Sequence, residues 1–297
     1  MTSSDHLETL AQTLEATGDY RVIRRLKPRP RTIPPPGTPL RLGLVVDVET
    51  TGLDPQRDEI IELAMTPFNY GLDGTVFSVG DSFQGLRQPS EPLAPEITAI
   101  TGITNEMVAG QIVDPDVVAT FAAPASLVIA HNAAFDRRFL ERFSDVFSTK
   151  PWACSLSQID WAAEGFEGAK LAYLAQAAGF FYDRHRAMHD SLATVELLAM
   201  RLPRSGVTGL SRLLDGARAV SWRIWAENSP FDLKDVLKTR GYRWNGEPGT
   251  QPRAWYIDVL DAQRQAEVHF LQKEVYKREV TPLMRRIDAY DRFSDRV

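Results

Sequence analysis

LGLVVDVETTGLD, residues 42–54, runs from an apolar stretch into a charged turn. Its first part, LGLVVDV (42–48), is short and rich in Val and Leu, the pattern of a strand buried on both faces. Gly52 and Pro55 end it. Side chains two apart on a strand project to one face, so Asp47 and Glu49 emerge together at its end. Two like charges held side by side repel, and the pair calls for a cation. Carboxylate oxygens suit hard ions such as Mg²⁺ or Mn²⁺. Thr50 and Thr51 can brace the turn, and Gly52 lets the backbone pass close to a ligand. Taken alone, the same D-x-E is equally a solvated strand end.

Outward from this strand, IIELAM (60–65) and TVFSVGDSF (75–83) read as two more, with Gly71 and Gly74 supplying a hairpin turn. Residues 114–124 read as a helix and SLVIAH (126–131) as another short buried strand. Helices are expected over 134–142, 169–178 and 190–202. This alternation points to an α/β layer architecture. It also places two further acids. Asp136 falls in the first turn of the helix that follows a strand, and Asp190 opens the helix 190–202, five residues after His185. Singly, each has an ordinary explanation. An acid in a first turn complements the helix dipole, and Asp is a frequent N-cap.

Together, the order D-x-E, then Asp, then H-x4-D resembles the DEDDh family of 3′→5′ exonucleases, which includes the proofreading subunit of bacterial DNA polymerase III. VVDVETTGLD (45–54) is similar to its first motif, HNAAFDRRFL (131–140) to its second and HRAMHDSLAT (185–194) to its third. Ile100-Thr101-Gly102-Ile103-Thr104 is similar to the family's loop between the first two motifs. The resemblance spans roughly residues 41–203. It implies a ribonuclease H-like fold, a mixed central sheet flanked by helices. It also implies that Asp47, Glu49, Asp136 and Asp190 hold two divalent metal ions, with His185 as general base. Such ions lower the pKa of a bound water and relieve charge on the leaving oxygen, and a histidine takes a proton near neutral pH. Thr50, Thr51, Gly52, Leu53, Ile100, Thr101, Gly102, His131, Asn132 and Phe135 match positions that receive the terminal nucleotide. Phe135 has a second reading as core, and Asn132 as a brace of local backbone. His189 departs from the family, where an apolar or acidic residue is usual, and is read as a neighbour of the site. The implied substrate is the 3′ end of nucleic acid, single-stranded DNA before RNA, released as nucleoside 5′-monophosphates. The rival readings are an exoribonuclease and a non-catalytic binding module on the same fold.

Three segments are expected: 1–40, a helix, basic arm and proline-rich linker; 41–203, the exonuclease unit; and 204–297, a small α+β module. The helix covers 4–17, and six prolines between 28 and 39 favour an extended spacer. The module reads as strand 221–227, helix 231–240, strands 242–244 and 254–259, and helix 260–277. It holds four of the chain's six tryptophans. Its F-D-L-K-D-V-L-K-T-R-G-Y-R-W pattern is loosely similar to accessory domains appended to some bacterial exonucleases. Cations mixed with aromatics there could stack bases, engage a protein partner, or simply surround a Trp- and Phe-built core.

Charge does not decide the partner. The net charge of the 297 residues is −5, yet residues 221–297 sum to +2, and residues 20–31 hold six basic groups and no acid. That arm either leads nucleic acid toward the site by charge or is a solvated segment. No apolar run approaches the roughly 20 residues of a membrane helix, and the first ten residues do not read as a secretory signal. A single cysteine, Cys154, excludes an internal disulfide and suits a reducing cytoplasm.

Overall fold

The computed structural model describes residues 3–246 and 251–296. Helix α1 (Ser3–Ala16) and a two-residue strand β1 (Arg24–Arg25) precede the strand expected at 42–48, which extends to Leu40–Thr50 as β2. Next come β3 (Ile60–Gly71), β4 (Val76–Val79) and β5 (Phe83–Leu86), then helices α2 (Pro95–Thr101), α3 (Asn105–Val108) and α4 (Pro115–Ala122). Strand β6 (Leu127–Ala130), helix α5 (Ala133–Phe143) and strand β7 (Trp152–Cys154) follow. Helix α6 (Leu171–Ala177), strand β8 (Phe180–Phe181) and helices α7 (Ala187–Ala199) and α8 (Gly209–Arg218) come next.

The central sheet has the order β4-β3-β2-β6-β7, with β5 also on β3. Strands β2 to β5 pair antiparallel, while β6 and β7 join parallel to β2 and to each other. This is the expected mixed sheet flanked by helices. Alternation along β2 explains its two covers. Val45 faces α6, α7 and α8 together with Phe68, Leu174, Leu198 and Leu210. Leu44, Val46 and Val48 face α4 and α5 with Val118, Phe139 and Leu140. Each such fully buried side chain contributes about 1.5–3 kcal/mol, so the β2 register is strongly specified. A one-residue slip would carry Asp47 and Glu49 into the opposite core.

Several expectations change. The helix expected to open at Asp190 starts at Ala187, so Asp190 is its fourth residue and not its cap. The stretch 75–83 is two strands, because β3 is long enough to seat both: β4 beside 68–70 and β5 beside 62–65, with Gly80 between them. Of the two turn glycines, Gly71 ends β3, and Gly74 alone takes a left-handed conformation, φ 84°. The basic arm is neither a free guide nor a merely solvated segment. Strand β1 pairs parallel with β8, Arg21 donates to the carbonyls of Gln176 and Ala177 at the end of α6, and Arg29 meets Glu196 of α7 at 2.7 Å. Arg24 is paired with Glu8 and Glu15, and Arg25 with Asp183. Most of the arm's positive charge is therefore engaged by the protein itself.

Beyond α8, β9 (Ser221–Ala226), α9 (Lys234–Thr239), β10 (Arg243–Trp244), β11 (Trp255–Leu260), α10 (Arg264–Phe270) and β12 (Met284–Ile287) build a second sheet, ordered β10-β11-β9-β12. The helix expected over 260–277 is a 3₁₀ turn, α10 and a π turn over Leu271–Tyr276. The core of this sheet is largely aliphatic, with Ile224, Leu237, Val259, Leu271 and Val275 joined by Tyr242, and Trp222 and Trp255 packed at its edge. Trp244 and Phe231 are exposed. The chain then returns to the first sheet. Fully buried Arg137 of α5 donates to the carbonyls of Ala289, Tyr290 and Arg292, and the Trp152 amide donates to Ala289 at 2.7 Å. Among the described residues no helix is long and apolar enough to cross a membrane.

Candidate active site

Strand β2 ends in an irregularity. Glu49 opposes Glu62 of β3, but Thr50 opposes Ile60, so one residue of β3 is extra. Such a bulge re-aims the strand end. Asp47 and Glu49 lie on the face covered by α7, where Ser191 meets Thr66 of β3 at 2.7 Å. That contact sets Asp190 over the strand. One oxygen from each of Asp47, Glu49 and Asp190 lies within 4.8 Å of the other two. Asp136 approaches from the far side of the sheet, because α5 starts right after β6. It is almost wholly buried and accepts from the Val48 amide at 3.2 Å. The four acids of the three motifs thus converge at one end of β2.

Their electrostatics are those of anions held together without enough compensation. Burial first, then Asp136, Asp190, Glu49 and Glu62, pushes the Asp47 carboxyl well above the ordinary range. Burial, then Asp190, Glu62 and Asp136, lifts Glu49 to about 8, with Arg186 opposing. Burial lifts Asp136 to about 7 against the pull of backbone amides, its own and that of Val48. Asp190 is also raised by burial. The Tyr182 hydroxyl, donating to Oδ1 at 2.9 Å, and the Arg186 amide, donating to Oδ2 at 3.1 Å, work the other way, as does nearby His185. A divalent cation would release these protons and replace repulsion by coordination. Hard oxygen donors in this number fit Mg²⁺ or Mn²⁺.

His185 stands at the rim, exposed, with a left-handed φ of 59°. Few non-glycine residues adopt this conformation, although His is among those enriched in it. His189, the third residue of α7, has its Nδ1 3.1 Å from the Asp183 carbonyl. It lines a cavity of about 450 Å³ between the basic arm and α7.

The turn residues fall into two groups. Leu53, Asn132 and Phe135 come together around a cavity of about 160 Å³ with Pro55 and Arg138. Leu53 is 83% exposed, and Phe135 packs at a tilt against Phe139 with ring centroids 4.9 Å apart. Asn132 adopts φ 112°, and its carbonyl accepts from the Phe135 amide, opening α5. Thr50 and Thr51 are occupied locally: Thr50 donates to the Gly52 carbonyl, and Thr51 bonds the Asp58 carboxylate and the Glu59 amide. At Gly52 a Cβ would meet the Asp58 carboxylate at 2.5 Å, so the glycine makes room for Asp58. The second group is the 100–102 loop. Thr101 is buried and bonded within α2, Gly102 ends that helix at φ 70°, and Ile100 is exposed. Ile103 anchors the loop beside Ile61, Leu93 and Val108.

His131 bonds to groups other than the four carboxylates. Its Nδ1 lies 2.9 Å from Ser155 Oγ and its Nε2 2.8 Å from the Ala169 carbonyl. Burial lowers its pKa to about 4, so the ring is neutral and both nitrogens are engaged. Three neighbours of the site escape the motif reading: Glu62, Arg186 and Tyr182. Only Glu62 leaves a trace in the sequence, as an acid inside the apolar run IIELAM.

Residues 44–198, just over half of the chain, match the model of the RNase_T family, described as "Exonuclease". The chain is 29% identical over 188 residues to DNA polymerase III PolC-type of Thermotoga maritima, a match covering 57% of this chain and 13% of that protein. It is 27% identical over 161 residues to DNA polymerase III subunit epsilon of Aquifex aeolicus, covering 52% of this chain and 77% of that one. Among solved structures, exonuclease X in complex with 5′ overhanging duplex DNA is 26% identical, with a TM-score of 0.45, over 59% of this chain and 98% of that chain.

Proposed function

This chain belongs to the Exonuclease family of RNase_T type, and from that premise we propose that it is a metal-dependent 3′→5′ exonuclease that shortens single-stranded DNA to nucleoside 5′-monophosphates. The observation that carries the reading is the convergence of Asp47, Glu49 and Asp190 within 4.8 Å, with Asp136 buried beside them. Four acids at one strand end destabilise a fold that has no use for a cation.

Asp47, Glu49, Asp136 and Asp190 would hold two divalent ions, which when bound would supply a low-pKa water and charge relief on the departing 3′ oxygen. The protein's own part is to hold and to move a proton. Asp47 and Glu49 are ligands fixed by β2, Asp136 and Asp190 by the first turns of α5 and α7. Exposed His185 accepts the proton of the attacking water and passes it to solvent. Leu53, Asn132 and Phe135 line a small depression of mixed polar and apolar character that suits the terminal sugar and base, with Thr50 to Gly52 and Ile100 to Gly102 shaping its surroundings. His131, with both nitrogens engaged, braces the second motif from behind. Residues 41–203 are the catalytic unit, and 204–297 brace α5 through the returning tail and offer a face to a protein partner. Buried, unpaired Cys154 suits a cytoplasmic setting.

Digestion of matched DNA and RNA oligonucleotides with Mg²⁺, Mn²⁺ or chelator tests the proposal. The expected outcome is metal-dependent release of 5′-monophosphates, faster from DNA. Faster release from RNA would move the substrate to RNA, and no release from either would overturn the reading.

A further inference from the structure

Glu62 is the third residue of the central strand β3, with its side chain fully buried. Its cross-strand partner is Glu49. Carboxylates directly opposite each other on an antiparallel pair repel and weaken the sheet. A full set of donors offsets this at Glu62. Arg186 brings its NH2 to 3.0 Å and its Nε to 3.3 Å from Oε1, and the same Nε to 3.4 Å from Oε2. The Ala187 amide donates to Oε2 at 3.0 Å, and Gln84 Nε2 to Oε1 at 2.6 Å. Both oxygens are thus engaged by protein donors, and a guanidinium balances the charge.

Where those donors sit in the chain matters more than their number. Arg186 is the N-cap of α7 and Ala187 its first residue. An arginine side chain has no oxygen with which to cap its own helix, and this N-cap makes no side-chain cap bond. Glu62 supplies the missing acceptor from another strand, and its negative charge sits at the positive end of the α7 dipole. His185, in its left-handed conformation, immediately precedes this turn. The Arg186 amide itself donates to Asp190 Oδ2. One buried carboxylate therefore holds the short segment that joins His185 to Asp190, while lying across the strand pair from Glu49.

We propose that Glu62 is a positioning residue: through the Arg186 side chain and the Ala187 amide it sets where His185 and Asp190 stand relative to Asp47 and Glu49. The inference rests on the roles assigned above to His185 and the four acids. Partners one layer behind ligands typically alter activity about 10–100-fold when removed.

The test compares Glu62→Gln and Arg186→Lys with wild type. Arg186 is partly exposed, so its variant folds even if a buried amide at 62 does not. Both are expected to lower kcat about 10–100-fold while KM for DNA stays within about 3-fold, the signature of lost transition-state geometry. The half-saturating Mn²⁺ concentration should rise less than it does in Glu49→Gln, since Glu62 positions a ligand without being one. In ¹H–¹⁵N spectra of the metal-free proteins the His185 ring resonances should move and those of His131 should not. The double variant should be no worse than the poorer single one, because the two residues act as one unit. Unchanged kcat with unmoved His185 resonances would overturn the inference. So would a rise in half-saturating Mn²⁺ as large as that of Glu49→Gln, which would make Glu62 a ligand. A wild type without nuclease activity would sink the functional reading alone, and the histidine spectra would still decide the positioning role.

Discussion

Replacing Glu49 with Gln probes whether the acid cluster favours cations at the expense of the fold. Burial, followed by Asp190, Glu62 and Asp136, holds this carboxyl at about 8 in the folded protein, whereas an unfolded glutamate titrates near about 4.3. Between these values the folded state binds more protons than the unfolded one, so metal-free stability falls as pH rises from about 4.3 to about 8. At about 1.4 kcal/mol for each tenfold change in proton affinity, the rise sets a ceiling of roughly 5 kcal/mol. Glu49 is only partly buried and shares its repulsion with its neighbours, which reduces the expected effect to ~1–2 kcal/mol. Glutamine keeps the shape and cannot ionise. In chelator at about pH 8 the variant should melt about 2–6 °C above wild type. That gain should shrink with falling pH and vanish below about pH 4, where both states of the wild type are protonated. Saturating Mn²⁺ should reverse the order, because only wild type keeps every ligand. Thermal unfolding followed by circular dichroism across this range, with chelator or Mn²⁺, reads all three arms. A variant less stable than wild type in chelator at about pH 8, or a difference that ignores pH, would refute the reasoning.

Other consequences are simpler to state. His185→Ala should lower kcat about 10²–10⁴-fold and leave Mn²⁺ binding by calorimetry unchanged; intact turnover would remove it as the base. Tyr182→Phe deletes the hydroxyl that holds the Asp190 carboxyl down. Its activity should fall about 10-fold near neutrality and recover as pH rises, since Asp190 then needs a higher pH to lose its proton; a pH-independent loss would contradict that cause. Arg137→Met leaves three tail carbonyls and Glu141 without their buried partner. Urea unfolding should show a loss of about 3–5 kcal/mol; a change under about 1 kcal/mol would mean the tail is not held there.

The half that holds the four acids was legible because its signals are local. Strand β2 reads as buried on both faces, and period-2 alternation alone puts Asp47 and Glu49 on one side. The two later acids sit in first turns of helices that begin near strands, so placing the elements places the carboxylates. What escaped is carried by backbone or by distant pairing. Strand β1 is two arginines whose amide and carbonyl groups pair with β8, and no side-chain pattern marks that. Strand β12, MRRI, has its apolar residues three apart and two arginines between, which disguises an edge strand. Tyr182 and Arg186 acquire their partners only when α7 lies across the sheet. His131 reads as a substrate neighbour from its place in the second motif, but Ser155 and Ala169 reach it from 24 and 38 residues downstream. The reading of the second module was coarser still, because tryptophan marks a core and a binding face alike.

The central claim is that the acids on β2, α5 and α7 hold metal ions for removal of nucleotides from a 3′ end. Its most direct test follows a 5′-labelled DNA strand with Mg²⁺ on a sequencing gel, wild type beside Asp47→Asn. Wild type should give a ladder that shortens stepwise from full length, and the variant, or wild type in chelator, an unchanged strand. Immediate release of a labelled mononucleotide, internal cuts, or an undiminished ladder from Asp47→Asn would contradict the claim.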